Sequence, residues 1–210
     1  EAFLKSTLEP KEIFIRVNTV KTTTEELKEL LIKENVKVFD TYMENALKIE
    51  INNAVYNLES FKNGLFHVED ISSQLCVEAL ELFPEATAID VCAAPGGKSS
   101  HMAECMEGTG MVEARDLTEY KVSLIEENIF RHGLSNMKAV QQDALIFDEA
   151  SVSKADILVC DLPCSGLGVM GKKTDIRYKM TEEKQKELVQ LQRSILDTVC
   201  TYVKPGGTLV

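Results

Sequence analysis

The chain has 210 residues, a formal net charge of −11, 44% hydrophobic residues and 6% aromatic residues. This is ordinary globular composition, enough for one domain with a small appendage. The acidic total argues against broad nonspecific affinity for nucleic acid, and no apolar run approaches the roughly 18 residues that a membrane helix needs. The opening Glu1-Ala-Phe-Leu-Lys5 has no initiator Met and no long apolar core, so it reads as a cut or processed end rather than a signal peptide. The six cysteines, Cys76, Cys92, Cys105, Cys160, Cys164 and Cys200, form no C-x-x-C pair and have no nearby His to complete a zinc pattern. Free thiols in a reducing cytosol, and no bound metal, are the expectation. His67, His101 and His132 are scattered and read as surface or packing residues.

In chain order, residues 12–20 are β-branched and strand-like. A helix is predicted over 24–34, with Leu27, Leu30 and Leu31 on one face and Thr23 or Thr24 as N-cap. Two further strands are predicted at 36–39 and 46–51. This β-α-β-β order predicts a small α+β subdomain over residues 1–64. Residues 60–70 read as a connector. A helix capped by Ser72 or Ser73 follows, running to about Phe83 with Leu75, Ala79 and Leu82 on its stripe.

From residue 86 strands and helices alternate. Strands are predicted at 86–91, 110–115, 137–141, 155–160 and 208–210, and helices at 99–106, 119–132 and 182–203. Gly133 stands where a helix C-cap is expected. Leu188, Leu191, Ile195, Val199 and Tyr202 recur at steps of three and four, which marks a buried face. Such alternation predicts an α/β domain over 65–210, built on a doubly wound parallel sheet.

The run Asp90-Val-Cys-Ala-Ala-Pro-Gly-Gly-Lys98 joins the first of these strands to its helix. Strand, tight loop and helix is where such a sheet holds a nucleotide-like cofactor. A P-loop needs G-x-x-x-x-G-K-[ST]; Gly97-Lys98-Ser99 fits its end, but its first glycine falls on Cys92. A dinucleotide fingerprint fits less well, having only Gly96 and Gly97 to draw on. S-adenosylmethionine carries no phosphate and needs close backbone approach, a carboxylate for its ribose and a polar group for its adenine. Asp116, Asp143 and Asp161 follow the second, third and fourth predicted strands, and carboxylates there converge on one crevice. A single Asp after a strand is usually a loop cap; three in register favour the cofactor. Its site is read as Cys92, Ala93, Ala94, Pro95, Gly96, Gly97 and Lys98 with Asp116, Asp143 and Asp161.

Asp161-Leu-Pro-Cys-Ser-Gly166 leaves the fourth strand. Most free cysteines are small buried hydrophobes, but Cys164 stands at the crevice lip after Asp161 and Pro163. A thiol there suits methylation of a pyrimidine carbon. C5 is a poor nucleophile until a thiolate adds at C6. Asp161 and Cys164 are therefore the candidate catalytic residues.

These two motifs together resemble the Sun/Fmu family of RNA cytosine-C5 methyltransferases, with a truncated Rossmann-like sheet. Arg16-Val-Asn-Thr19 and Glu69-Asp-Ile-Ser-Ser-Gln74 also resemble it. Gly166-Leu-Gly-Val169 and Asp175-Ile-Arg177 are similar to the branch that modifies bacterial 16S ribosomal RNA. Glu69 stands where the family commonly has Gln, and Thr174 where the branch often has Pro. The resemblance implies that residues 1–64 form an RNA-recognition-like module and that Cys164 assists product release. It also implies an attacking thiolate in a Thr-Cys pair just after the fifth strand, beyond Val210, so the 210 residues by themselves are expected to lack turnover.

Lys172, Lys173, Arg177 and Lys179 after the Cys164 loop, with Arg16 near the start, are candidates for RNA phosphates. Without the resemblance a short Lys run reads as a solvated face. Two rival functions stay open. A ribose 2′-O-methyltransferase can share the Ala-Pro-Gly-Gly loop but has no use for Pro163-Cys164. A non-catalytic RNA-binding or assembly module could keep the cofactor fold.

Overall fold

The computed structural model describes residues 12–169 and 175–210, the side chain of Arg177 excepted. The first sheet comprises β1 (Ile13–Val17), β2 (Lys37–Asp40), β3 (Ala46–Glu50) and β4 (Phe66–Val68) in the order β2-β3-β1-β4, all pairs antiparallel. Helix α1 (Thr24–Lys33) begins at a capping box. Thr23 accepts from the Glu26 backbone N–H, and the Glu26 side chain accepts from that of Thr23. Leu27 and Leu31, four residues apart, press on Ile15, Val17, Leu47, Ile49 and Phe66. Leu30, expected on the same stripe, falls to the flank and is exposed. The expected connector at 60–70 holds a short helix, α2 (Glu59–Lys62), and the edge strand β4. The first sheet thus takes a strand from beyond residue 64.

Helix α3 (Ile71–Glu78) starts after Asp70, ahead of the expected serine cap, and stops well short of Phe83. The shift rotates the buried face, so Gln74 and Val77 are buried and Leu75 is exposed. The second sheet contains β5 (Thr87–Asp90), β6 (Met111–Asp116), β7 (Met137–Gln141), β8 (Ala155–Val159) and β9 (Val203–Leu209). They run parallel in the order β7-β6-β5-β8-β9. Helices α4 (Gly97–Cys105) and α5 (Glu119–His132) cover one face, with Met102 and Ile125 against Ala88 and Val112. After the short α6 (Ile176–Lys179), helix α7 (Glu182–Val199) covers the other, placing Ile195 and Val199 on Ile89 and Leu158. The strand order reverses direction between β5 and β8, the position at which open α/β sheets bind ligands.

The end of α7 differs from expectation. The helix stops at Val199, Cys200–Tyr202 forms one tight turn, and β9 starts at Val203. Pro205-Gly206-Gly207 reads as a turn, yet the strand absorbs it through a shift in register against β8.

The two sheets meet through a buried charged cluster. Arg16 on β1 is 1% exposed. Its Nε donates to Glu69 Oε2 at 2.8 Å, and its Nη1 donates to Glu104 of α4. Glu104 also meets His67 Nε2 at 2.7 Å, and the His67 ring stacks on His132 of α5 with centroids 3.4 Å apart. Asn18 adds a neutral tie, its Nδ2 donating to the Gly64 and His132 carbonyls at 2.8 and 3.0 Å. Burying Arg16 carries a desolvation cost that only paired carboxylates offset. Replacing it by Met would leave two buried carboxylates uncompensated. Arg16→Met is expected to cost about 3–5 kcal/mol in urea unfolding, with much of it recovered when Glu69 and Glu104 are also made Gln. A loss below about 1 kcal/mol would mean that the cluster does not hold the sheets together.

The same cluster sets an acid limit. Burial, with the charge of Arg16, pushes His67 far below the ordinary imidazole range. Burial likewise brings His101 and His132 down to about 2. These histidines stay neutral when folded but bind protons when unfolded, so the stability they contribute is full above about pH 6.5 and falls as pH drops below it. Each contributes a slope of about 1.4 kcal/mol per pH unit. Urea midpoints are expected to decline steeply from pH 7 to pH 5; a flat profile over that interval would contradict the buried neutral state.

Candidate functional site

The site is built on the turn from β5 into α4. Asp90, at the end of β5, is 1% exposed and fastens both ends of that turn. One oxygen accepts from the Cys92 N–H at 3.3 Å and the other from Ser99 Oγ at 2.7 Å. Burial pushes its pKa up to about 6 despite these bonds. Its contribution to stability is therefore lost as pH rises through about 6; Glu104, also raised by burial, acts in the same sense, opposite to that of the three histidines. Gly96 carries the reversal at φ +104°, a backbone state that other residues resist.

The loop is held from the side by the next strand. The Ala93 N–H donates to the Arg115 carbonyl at 2.8 Å and the Ala94 N–H to Asp116 Oδ2 at 3.0 Å. The other oxygen of Asp116 accepts from the Leu117 N–H at 2.7 Å and meets Lys121 Nζ at 2.9 Å. Asn128 Nδ2 donates to the Pro95 carbonyl at 2.8 Å. The loop is thus held from both sides by the protein's own groups.

In front of the loop lies a cavity of about 230 Å³. Asp90, Cys92, Ala93, Ala94, Pro95, Gly97, Lys98 and Asp161 line one side; Val68, Glu69, Asp70 and Ser73 line the other. Lys98 Nζ pairs with Asp161 Oδ2 at 2.7 Å, bridging the loop after β5 to the loop after β8. Seven of the sequence-read residues, Cys92 to Pro95, Gly97, Lys98 and Asp161, therefore meet at one cavity. Gly96 lies behind it, facing Ile125 and Met137. Asp116 and Asp143 do not line it. Asp143 is half-buried, and its Oδ1 accepts from the Leu145 N–H at 2.9 Å, as a loop cap does.

Sequence reasoning missed the opposite wall. Glu69, which opens a run resembling the family but stands where the family commonly has Gln, lines the cavity and pairs with Arg16. Its Oε1 is buried without a hydrogen-bond partner, near the position that a Cβ on Gly97 would take, 3.4 Å away. An unpartnered carboxylate oxygen facing a glycine backbone, on a loop already held by its own hydrogen bonds, fits a cofactor that lies against the loop and brings donors of its own.

Cys164 is exposed, three residues past Asp161. Its loop is tied to α7, because Gln192 Nε2 donates to the Pro163 carbonyl at 2.8 Å. Cys92 and Cys160 are poor nucleophiles: burial raises their pKa values to about 12 and about 11. Among the described residues, no group of three or more His, Cys, Asp or Glu could hold a metal, and no helix is long and apolar enough to cross a membrane.

Of the residues read as RNA contacts, Lys172 and Lys173 lie outside the described residues, as does the side chain of Arg177. Lys179 is exposed and paired with Asp175 at 2.6 Å. Arg16 is a correction. It is buried between two carboxylates and faces no solvent, because α4 of the second sheet closes over β1.

A parallel sheet in this order, with a small-residue loop at its switch point and acidic residues at the strand ends, is the Rossmann-like sheet of S-adenosylmethionine-dependent methyltransferases. A family model for 16S rRNA methyltransferase RsmB/F matches residues 77–210. The chain belongs to that family, and S-adenosylmethionine is its cofactor. It is 36% identical to the probable ribosomal RNA small subunit methyltransferase B of Bacillus subtilis, covering 96% of this chain and 45% of the relative. It is 31% identical to ribosomal RNA small subunit methyltransferase F of Escherichia coli, covering 99% and 45%. The chain thus spans about half the length of these curated relatives. The crystal structure of PH0851 superposes with a TM-score of 0.93 at 32% identity, over 99% of this chain and 47% of that one. NSun6 from Pyrococcus horikoshii, solved with SFG, shares the fold at a TM-score of 0.89 and 22% identity, over 98% and 76%.

Asp116 is placed to hold the loop in its binding shape. Asp116→Ala is expected to weaken S-adenosylhomocysteine binding by about tenfold or more, measured by calorimetry, while unfolding stays cooperative. An unchanged dissociation constant would remove Asp116 from the site.

Proposed function

We propose that this chain is the cofactor-binding and base-positioning part of an enzyme that methylates C5 of cytosine in small-subunit ribosomal RNA, in the cytoplasm. The observation that carries the reading is the Lys98–Asp161 bridge, which brings the glycine loop and the Asp161–Cys164 loop to one cavity. Family membership and the names of the relatives support RNA as the substrate.

S-adenosylmethionine, when bound, supplies an electrophilic methyl group. The loop from Cys92 to Lys98 holds it by backbone, with Asp116 steadying the loop from behind. Asp143 is proposed to face its adenine and Asp161 to border the reacting end. The target cytosine needs a thiolate at C6 before its C5 can attack. Adduct formation puts electron density on C5; methyl transfer, loss of the C5 proton and departure of the thiolate then restore the aromatic ring. The attacking thiol is assigned, from the family resemblance, to a Thr-Cys pair that follows β9. Cys164, exposed on a tethered loop, is assigned to product release. Residues 1–64, together with β4, form the RNA-recognition-like module, and Lys172, Lys173, Arg177 and Lys179 hold phosphates beside the target.

The full-length protein carrying this chain, given labelled cofactor and unmodified small-subunit ribosomal RNA, is expected to yield 5-methylcytidine on nucleoside analysis. A ribose-methylated product, or none, would overturn the reading. Cys164→Ala is expected to accumulate a protein–RNA adduct stable to detergent. Loss of both adduct and product would make Cys164 the nucleophile instead.

A further inference from the structure

The first sheet has one face packed on α1; among the described residues its other face is only half covered. Side chains alternate along each strand, so Phe14 and Arg16 of β1, Ala46 and Lys48 of β3, and Lys37 and Phe39 of β2 share this second face. The Arg16 end, with its partner His67, is closed by Glu104 of α4. One step further along the strands, the register sets Phe14 opposite Lys48 and Lys48 opposite Phe39. This row is open. Phe39 is 42% exposed, Phe14 is half-buried, and neither belongs to a hydrophobic core. Lys48 Nζ lies 5.4 Å from the centre of the Phe39 ring.

An aromatic–cation–aromatic row across adjacent strands matches the chemistry of an unpaired nucleotide. Bases stack on ring faces and phosphates meet the ammonium group. A four-stranded sheet that presents aromatic rings can stack unpaired bases in this way. The two lysines of the face are not locked away. Lys48 pairs with Glu12 and Lys37 with Glu50, both on the surface, and such pairs are weak enough for a phosphate to displace. The row also leads towards the chemistry: the Phe14 carbonyl accepts from the Glu69 N–H at 3.1 Å, and Glu69 lines the cofactor cavity.

We propose that Phe14, Lys48 and Phe39 form a stacking platform for single-stranded RNA flanking the target base; this rests on the protein being an RNA methyltransferase. Because the chain carries a net charge of −11, binding here depends on ring stacking more than on counterion release, and its salt dependence is shallow.

The chain contains no tryptophan, so Phe39→Trp introduces a single reporter on the platform. Titration with a short single-stranded oligoribonucleotide is expected to quench its emission, whereas the same sequence as a duplex leaves it unchanged. Phe14→Leu and Phe39→Leu are each expected to weaken single-strand affinity about fivefold or more, with S-adenosylhomocysteine affinity unaltered. RNA binding with unquenched emission and no loss in the Leu variants would overturn the platform while leaving the methyltransferase reading in place. Absence of RNA binding by this chain would also overturn it. If the full-length protein then still methylated RNA, the functional reading would survive; if it did not, both would fall.

Discussion

The pairing of Arg16 with Glu69 and Glu104 is the contact on which the rest of the molecule depends. It joins β1 of the antiparallel sheet to α4 of the parallel sheet and to the segment between them. The desolvation cost of a buried guanidinium is offset only when both carboxylates are in place, so the cluster favours one relative placement of the two sheets. The stacked pair His67–His132 and the Asn18 amide extend the same joint towards α5. Neither sheet alone supplies a complete set of partners for these groups.

That joint also shapes the cofactor cavity. Glu69 faces Arg16 with one carboxylate oxygen and lies beside Gly97 with the other. One wall of the cavity therefore comes from the end of the antiparallel sheet and the other from the switch point of the parallel sheet. The glycine loop is rigid for separate reasons, Asp90 beneath it and Asp116 beside it. Across the opening, Lys98 and Asp161 connect it to the loop that carries Cys164. The glycine loop, the Cys164 loop and the end of the antiparallel sheet are thus tied together around one cavity.

Much of this was legible in the sequence because it is local. The parallel strands and α5 follow from periodicity, and α5 (Glu119–His132) and β7 (Met137–Gln141) match their expected limits. The glycine loop and the acidic strand ends follow from motif spacing. What was not legible depends on distant partners. Nothing near Arg16 shows that its carboxylates lie 53 and 88 residues away, so a surface role was the natural inference. Strand β4 has three residues, too few to display a period. The start of β9 is hidden by Pro205-Gly206-Gly207, whose turn-forming character is overridden by pairing with β8. Gln74 is buried ahead of Leu75 because its amide donates to the Glu69 carbonyl at 2.9 Å, a tertiary demand that helical hydropathy does not encode.

The joint between the sheets supplies one wall of the cavity and the glycine loop the other. The most direct measurement is the dissociation constant of S-adenosylhomocysteine for Arg16→Met, taken under conditions in which the variant remains folded. Weakening by about tenfold or more is the expected result, because Glu69 loses the partner that holds its wall in place. Affinity equal to that of the parent protein would contradict the account and confine the site to the parallel sheet.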